Sequence, residues 1–336
     1  MSVTIENLSV AYRTPRGDVT AVDGISFQVA NGEIMGLAGE SGSGKSTLGN
    51  SLVYLDPRMK TTGGKVTVDG KELPIADNNA MRRRRMTDVS LVPQYAMSAL
   101  TPTRKIGKII NDLLKSHKIQ DRQEVIAELR RRLALIGLKE EVLDKYSFEL
   151  SGGMRQRVTI VISSLLNPSL LVADEVTSAL DVSTQRAVGE MLIEFRDRGY
   201  IKSGIAITHD LSILAQIADS IAIMYAGRLA ERAPTAVIVD NPLHPYTQAL
   251  LASLPEVGVR HDQVTLTGIP GRPPSLVNPP SGCRFRERCP FAFAQCSQTP
   301  PFEEIKPGHM VACWKVSQEL TETAGGGQGL PLKEQV

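Results

Sequence analysis

No cysteine precedes residue 283 of the 336-residue chain; the four that exist, Cys283, Cys289, Cys296 and Cys313, are confined to one short stretch near its end. A secreted fold stapled by disulfides spreads its thiols along the chain, so that class is excluded. Charge of one sign is also scarce: 38 Lys and Arg face 36 Asp and Glu, a formal net charge of +2. That balance argues against a protein held to nucleic acid or lipid by bulk charge. Long apolar runs are missing too. The longest uncharged stretch, Val158 to Ala173, contains Asn167 and Pro168 and falls short of the ~20 apolar residues needed to span a bilayer. Glu6 and Arg13 interrupt the start, which has no leader-like apolar core. The expectation is a cytosolic chain that reaches a membrane only by docking onto another polypeptide. Aromatics are few, at 4%, yet 42% of residues are hydrophobic, enough for a real core in a chain longer than one average domain.

Strand patterns occupy Val3–Val10, Ile25–Val29, Glu33–Ala38 and Lys65–Val68, with hairpin-type turns expected at Asn31-Gly32 and Asp69-Gly70. Helical spacing runs from Ile106 to about Leu143, with Gly137 as a stop, and again from Ser151 to Asn167-Pro168. A short apolar strand at Val89–Pro93 is followed later by Ser169–Ala173, Gly204–Thr208 and Ser220–Tyr225. Strands alternating with helices predict an α/β fold around a mostly parallel sheet. Composition shifts near residue 232. The prolines Pro270, Pro273, Pro274, Pro279 and Pro280 predict a stiff connector, and the residues from 317 read as a disordered tail.

Gly39–Ser46 reads GESGSGKS, the G-x-x-x-x-G-K-[ST] phosphate loop, between an apolar strand and a helix. Gly39, Ser41, Gly42 and Gly44 let backbone N–H groups turn inward around phosphate oxygens, and the helix N-terminus adds positive potential. Lys45 is placed to reach the β- and γ-phosphates, and Ser46 to ligate Mg²⁺. The strand Leu170–Ala173 delivers Asp174, suited to hold Mg²⁺ through water, and Glu175, suited to polarise an attacking water. Leu150–Arg157, LSGGMRQR, is a second glycine-rich helix start, with Ser151, Gly152 and Gly153 able to face an anion. One ATP does not need two cradles from one chain, whereas a head-to-tail pair of chains would use both.

These motifs, in this order, resemble the ATP-binding-cassette (ABC) ATPases: a P-loop NTPase fold with a RecA-like core, an antiparallel β-subdomain and a helical subdomain. The resemblance covers about residues 3–232, with the helical subdomain inserted at about 96–160. It implies that Tyr12 stacks on adenine and Thr47 helps bind the nucleotide. It further implies that Gln94 is the Q-loop residue, Ser178–Asp181 the D-loop, and His209 the switch histidine. Ser46, Gln94 and Asp174 would then surround Mg²⁺. Lys45, Gln94, Glu175 and His209 would be the catalytic set, while Ser151, Gly152 and Gly153 would contact the ATP of a partner chain.

The stretch Asn241–Pro255, NPLHPYTQALLASLP, and the final GCRFRERCP…C…P…CW resemble more narrowly the ATPase subunits of dipeptide/oligopeptide permeases. That resemblance implies a subunit on the cytoplasmic face of the membrane that powers import of peptides, or of a related solute such as nickel or oligosaccharide. Its expected partners are a second ATPase subunit, by preference a paralogue, two transmembrane permease subunits and an extracytoplasmic solute-binding protein, with no nucleic acid. A soluble ABC ATPase acting on ribosomes or DNA is the alternative. The remainder is expected to divide into a docking segment at 233–266, a proline-rich connector with a four-cysteine module at 267–316, and the tail. Tyr95, Val176 and Phe148-Glu149 depart from the group's usual residues. The spacing C-x5-C-x6-C-x16-C, with Pro290 after Cys289, favours a metal centre over disulfides. Its wide gaps and the resemblance point to a four-iron four-sulfur cluster, with zinc, and His309 as a substitute ligand, as the alternative. The runs Arg82–Arg85 and Arg130–Arg132 read as solvated helix faces.

Overall fold

The computed structural model describes residues 3–94, 99–178, 180–253 and 268–325. Tyr95 and Ala179 therefore lie outside the described residues, as do most of the second half of the docking segment and the tail beyond 325.

Two sheets meet over a shared apolar layer. The first is antiparallel, in the order β2-β1-β4-β5, from β1 (Val3–Thr14), β2 (Gly17–Val29), β4 (Met59–Val68) and β5 (Lys71–Glu72). Alternation explains it: Val3, Ile5, Leu8 and Val10 of β1 point inward, as do Ile25, Phe27 and Val29 of β2. The second sheet has eight strands. Its parallel centre pairs β6 (Val89–Val92), β7 (Leu170–Asp174), β8 (Ser203–Ile207), β3 (Ile34–Ala38) and β9 (Ser220–Tyr225), in that order. Strands β3, β7 and β8 are buried at every position, the pattern of a parallel sheet covered on both faces.

One face of this sheet packs on the first sheet and on helix α1 (Lys45–Ser51). The other carries the main helical layer: α2 (Ile106–Ser116), α3 (Arg122–Leu135), α4 (Gly152–Ser164), α5 (Val182–Asp197) and α6 (Leu211–Ile217). The helices α2 to α4 are inserted between β6 and β7.

Several expectations change. Asn31-Gly32 is a turn, but β2 and β3 belong to different sheets, so it closes no hairpin; Asp69-Gly70 does, joining β4 to β5. The helical run from Ile106 breaks at Lys118, whose φ is +55°, and restarts where Asp121 caps α3 by accepting from the Glu124 N–H at 3.0 Å. Arg132 is not on a solvated face. It is fully buried, donating to Glu128, to the Ser164 carbonyl and to Asn167, with its guanidinium 3.9 Å from the centre of the Tyr200 ring. Arg85 likewise turns inward to the Val53 carbonyl.

The largest difference lies at the C-terminal end. The break expected at residue 232 falls inside β10 (Arg228–Pro234). Beyond it, β12 (His309–Val311) pairs with β10, and β11 (Glu303–Lys306) pairs with β12, so the cysteine module completes the edge of the ATPase sheet. Helix α7 (Trp314–Gly325) occupies the first part of the segment expected to be a loose tail. Hydrophobic packing supports the attachment: Phe285, 2% exposed, meets Tyr225 edge-on and Tyr246 at a tilt, both at ring distances of 5.3 Å.

Candidate functional site

Strand β3 runs straight into the phosphate loop. Gly39, Gly42 and Gly44 all have positive φ, at 144°, 78° and 102°. Only glycine fits at two of them, because a Cβ at Gly39 would stand 2.1 Å from the Met224 carbonyl oxygen, and one at Gly44 would stand 2.2 Å from that of Ala21. Lys45 opens α1 and is buried, its Nζ donating to the carbonyls of Gly39 at 2.7 Å and Glu40 at 2.9 Å. Burial pushes the Lys45 ammonium below its ordinary pKa, opposed by the carboxylates of Glu175, Asp174 and Glu40.

Strand β7 delivers Asp174 beside Ser46, whose hydroxyl donates to it at 3.0 Å. Burial, reinforced by neighbouring Glu175, pushes the Asp174 carboxyl up to about 6, while the Ser46 bond and Lys45 pull the other way. A buried acid in that condition gains from a cation, so these two groups suit a divalent ion.

Glu175 starts the turn after β7 with φ +46°, an uncommon conformation for a residue other than glycine; its N–H is fixed to the Ile207 carbonyl at 2.8 Å. The carboxylate accepts from Gln94 Nε2 at 2.6 Å and from the Ser178 hydroxyl at 3.1 Å, and His209 Nδ1 stands 3.6 Å away. Three groups from three separate loops thus converge on one carboxylate, an arrangement able to orient a water and accept its proton. Gln94 is engaged with Glu175 here rather than directed at Asp174. Tyr12 and Thr47 hydrogen-bond through their hydroxyls at 3.1 Å at the mouth of the pocket.

The pocket itself is lined by Tyr12, Ser41, Gly42, Gly44, Lys45, Ser46, Thr47, Gln94 and Glu175. Ser151, Gly152 and Gly153 are not among its lining residues. Ser151 instead caps α4, accepting from the Met154 N–H at 3.3 Å, on an outer surface next to the exposed Phe148.

Sequence reasoning missed a second layer around the phosphate loop. Leu276, from the proline-rich connector, also lines the pocket. Glu40 donates its N–H to Tyr246 Oη at 2.8 Å and receives a two-pronged contact from Arg288 at 2.6 and 3.0 Å. No local pattern signals partners separated by more than two hundred residues.

The four cysteines are unpaired and line one small space with His244, Phe285 and Trp314. Burial raises the Cys283 thiol to about 11, with contributions from the other three thiols, and raises Cys289 and Cys313 as well. Yet among the described residues no three His, Cys, Asp or Glu side chains converge as a metal-ligand set. The structure thus shows four neighbouring thiols rather than an assembled ligand set. His309 does not join them: its Nε2 meets Glu231 Oε1 at 2.6 Å, both side chains buried. Burial favours the neutral Glu231, but hydrogen bonds from His309 and from the N–H groups of Leu243 and His244 outweigh it and hold the carboxyl below its ordinary pKa. No helix among the described residues is long and apolar enough to cross a membrane.

Comparison with known proteins agrees with this geometry. Residues 22–178 match the ABC transporter family, and residues 230–296 match the C-terminal region of oligopeptide/dipeptide transporters. The oligopeptide transport ATP-binding protein OppD of Escherichia coli (strain K12) is 38% identical over 95% of this chain and 94% of its own length. The dipeptide transport ATP-binding protein DppD of Bacillus subtilis (strain 168) is 38% identical over 97% and 98%. Among solved structures, the dimeric bacterial ABC transporter cassette MJ0796 superposes with a TM-score of 0.60 at 24% identity, covering 69% of this chain and 98% of that one. That likeness concerns the fold alone.

Proposed function

Because the chain belongs to the ABC transporter ATP-binding protein family, we propose that it is the ATP-hydrolysing subunit of a peptide importer and that the residues around Glu175 carry the hydrolysis. The observation that carries the reading is the convergence of Gln94, Ser178 and His209 on the Glu175 carboxylate beside the Lys45 loop. The glycine loop and Lys45 hold the triphosphate, and Tyr12 and Thr47 flank the base and sugar. Ser46 and Asp174 would hold Mg²⁺, and the ion would supply neutralisation of charge on the phosphoryl oxygens. Glu175 accepts a proton from the attacking water, and Gln94 and His209 keep carboxylate and water aligned. Ser151, Gly152 and Gly153 serve a partner chain's nucleotide, in keeping with their outward position. The partners are a second ATPase subunit, two membrane permeases and a solute-binding protein, with the chain peripheral on the cytoplasmic face. Peptide is preferred over nickel or oligosaccharide because the relatives above are named for peptides. Replacing Glu175 by Gln is expected to lower turnover by about 10²–10⁴-fold while nucleotide still binds. Undiminished ATP hydrolysis in the assembled transporter would remove Glu175 from this role.

The four thiols are the place for a four-iron four-sulfur cluster. Support comes from their shared space and from backbone hydrogen bonds of Phe285 to Cys283, of Phe291 to Cys289 and of Lys315 and Val316 to Cys313, which favour the thiolates that a cluster would take. It would cross-link the module as a staple, because none of the hydrolytic steps calls for electron transfer. Protein isolated without oxygen is expected to show a visible absorption band that is lost when all four cysteines are replaced by serine. Colourless protein carrying stoichiometric zinc would overturn the cluster.

A further inference from the structure

Two arginines inside the Cys283–Cys289 segment leave the module and reach the surroundings of the phosphate loop. Arg284 donates to the Ala226 carbonyl at 3.0 Å and to Asp23 at 2.6 Å. Next to these, the Gly227 N–H donates to the Ser43 carbonyl at 2.8 Å, inside the loop itself. Arg288 goes further. Its side chain is only 5% exposed, and its Nε and Nη2 are fixed to the carbonyls of Pro270 and Ile269. Its two Nη atoms grip Glu40, and Nη1 also donates to Tyr225 Oη at 3.1 Å. The Arg288 backbone is set by overlapping turns that begin at Cys283 and close at Arg288, next to Cys289: the Arg286 N–H donates to the Cys283 carbonyl, and the Arg288 N–H to that of Phe285.

Glu40 occupies the second position of the phosphate loop, and its charge acts on Lys45. A bare carboxylate there would repel a triphosphate and compete with it for the lysine. The guanidinium of Arg288 cancels that charge, and its two-pronged geometry holds the loop's first turn in place. The Tyr246 hydroxyl and Lys45 Nζ fix the N–H and carbonyl of the same residue.

We infer that Arg288 is a positioning residue for nucleotide binding: it neutralises Glu40, and through it the folded state of the four-thiol module sets the affinity of the phosphate loop. The hydrogen bonds of Arg288 go to Glu40, Tyr225, Pro270 and Ile269 and not to Glu175, so its effect falls on binding rather than on the chemical step. The inference rests on the pocket being the ATP site.

The test uses the full-length chain and a fluorescent N-methylanthraniloyl-ATP with Mg²⁺. Arg288→Ala is expected to weaken binding by about tenfold or more, because an unpaired, half-buried carboxylate is left in the phosphate loop. Arg288→Lys, which keeps the charge but loses the fork, is expected to recover part of the loss. Glu40→Gln alone is expected to bind at least as tightly as the parent, and the double variant Glu40→Gln/Arg288→Ala to return close to it. In turnover assays the loss in Arg288→Ala is expected in KM, with kcat little changed. Cys289→Ser, which disturbs the thiol module at the residue next to Arg288, is expected to weaken binding in the parent and to have little effect in Glu40→Gln. If Arg288→Ala binds normally, or if Glu40→Gln fails to rescue it, the charge relation is wrong. If Cys289→Ser weakens both backgrounds equally, the module does not act through Glu40. A parent chain that does not bind the probe at all would instead sink the assignment of the ATP site.

Discussion

The chain has two glycine-rich helix starts, and they are built in opposite ways. The Gly39–Ser46 loop is strained and closed, with three glycines at positive φ, a buried lysine, and carbonyls so near that a methyl group at Gly39 or Gly44 would clash. The Ser151–Gly153 start is relaxed and open. Neither Gly152 nor Gly153 has positive φ, and a Cβ at Gly153 would only press on the Thr184 methyl at 3.2 Å. The first is a complete cradle within one chain. The second lies on an open surface, outside that pocket. Similar residue types therefore signal a helix start suited to an anion, and the packing behind them decides whether one chain suffices.

That contrast can be broken by experiment. The largest effect is expected for Gly44→Ala. Backbone strain and the clash with Ala21 together cost about 3 kcal/mol or more, read as loss of nucleotide affinity of about a hundredfold. Near-normal binding would mean that the closed loop opens freely.

Next comes the pH behaviour of Asp174. Its folded pKa of about 6 lies above the ordinary 3.8, so the folded chain holds the proton more tightly than the unfolded one. The associated stability is fully present below about 3.8 and is lost as pH rises through about 6. Asp174→Asn is therefore expected to stabilise the nucleotide-free chain at pH 7 by up to about 3 kcal/mol and to flatten its stability between pH 4 and 6, while abolishing Mg²⁺-dependent binding. Denaturant titrations across that pH range measure it, and an unchanged slope would contradict the assigned burial.

The smallest effect on a single chain is expected at Ser151. Its replacement by alanine removes a cap worth about 1 kcal/mol and leaves nucleotide affinity of the isolated chain unaltered. Turnover of the assembled transporter, by contrast, is expected to fall. Loss of affinity in the isolated chain would show that the open start already serves its own pocket.

Much of this site was legible because its chemistry is local. Lys45, Ser46, Asp174 and Glu175 belong to motifs that each carry their own strand or helix context, and strand β9 was read at its observed limits of Ser220–Tyr225. Arg132 was misread for the opposite reason. A run of three arginines looks solvated, and nothing nearby announces that Ser164, Asn167 and Tyr200 will bury the third one. Near 232 composition likewise says nothing of the tertiary pairing, since it changes there while the sheet runs on through β10.

What the sequence determined alone was the parallel-sheet fold, the phosphate loop, the acidic pair and the clustered thiols, all consequences of short-range pattern and residue chemistry. Tertiary structure decided the rest. It drew Gln94, Ser178 and His209 onto Glu175 and excluded Ser151 from the pocket. It also turned the cysteine segment from an appendage into the edge of the ATPase sheet, with Arg288 gripping the phosphate loop. Those contacts join residues tens to hundreds of positions apart, and their stability comes from burial and charge pairing that exist only once the chain has closed on itself.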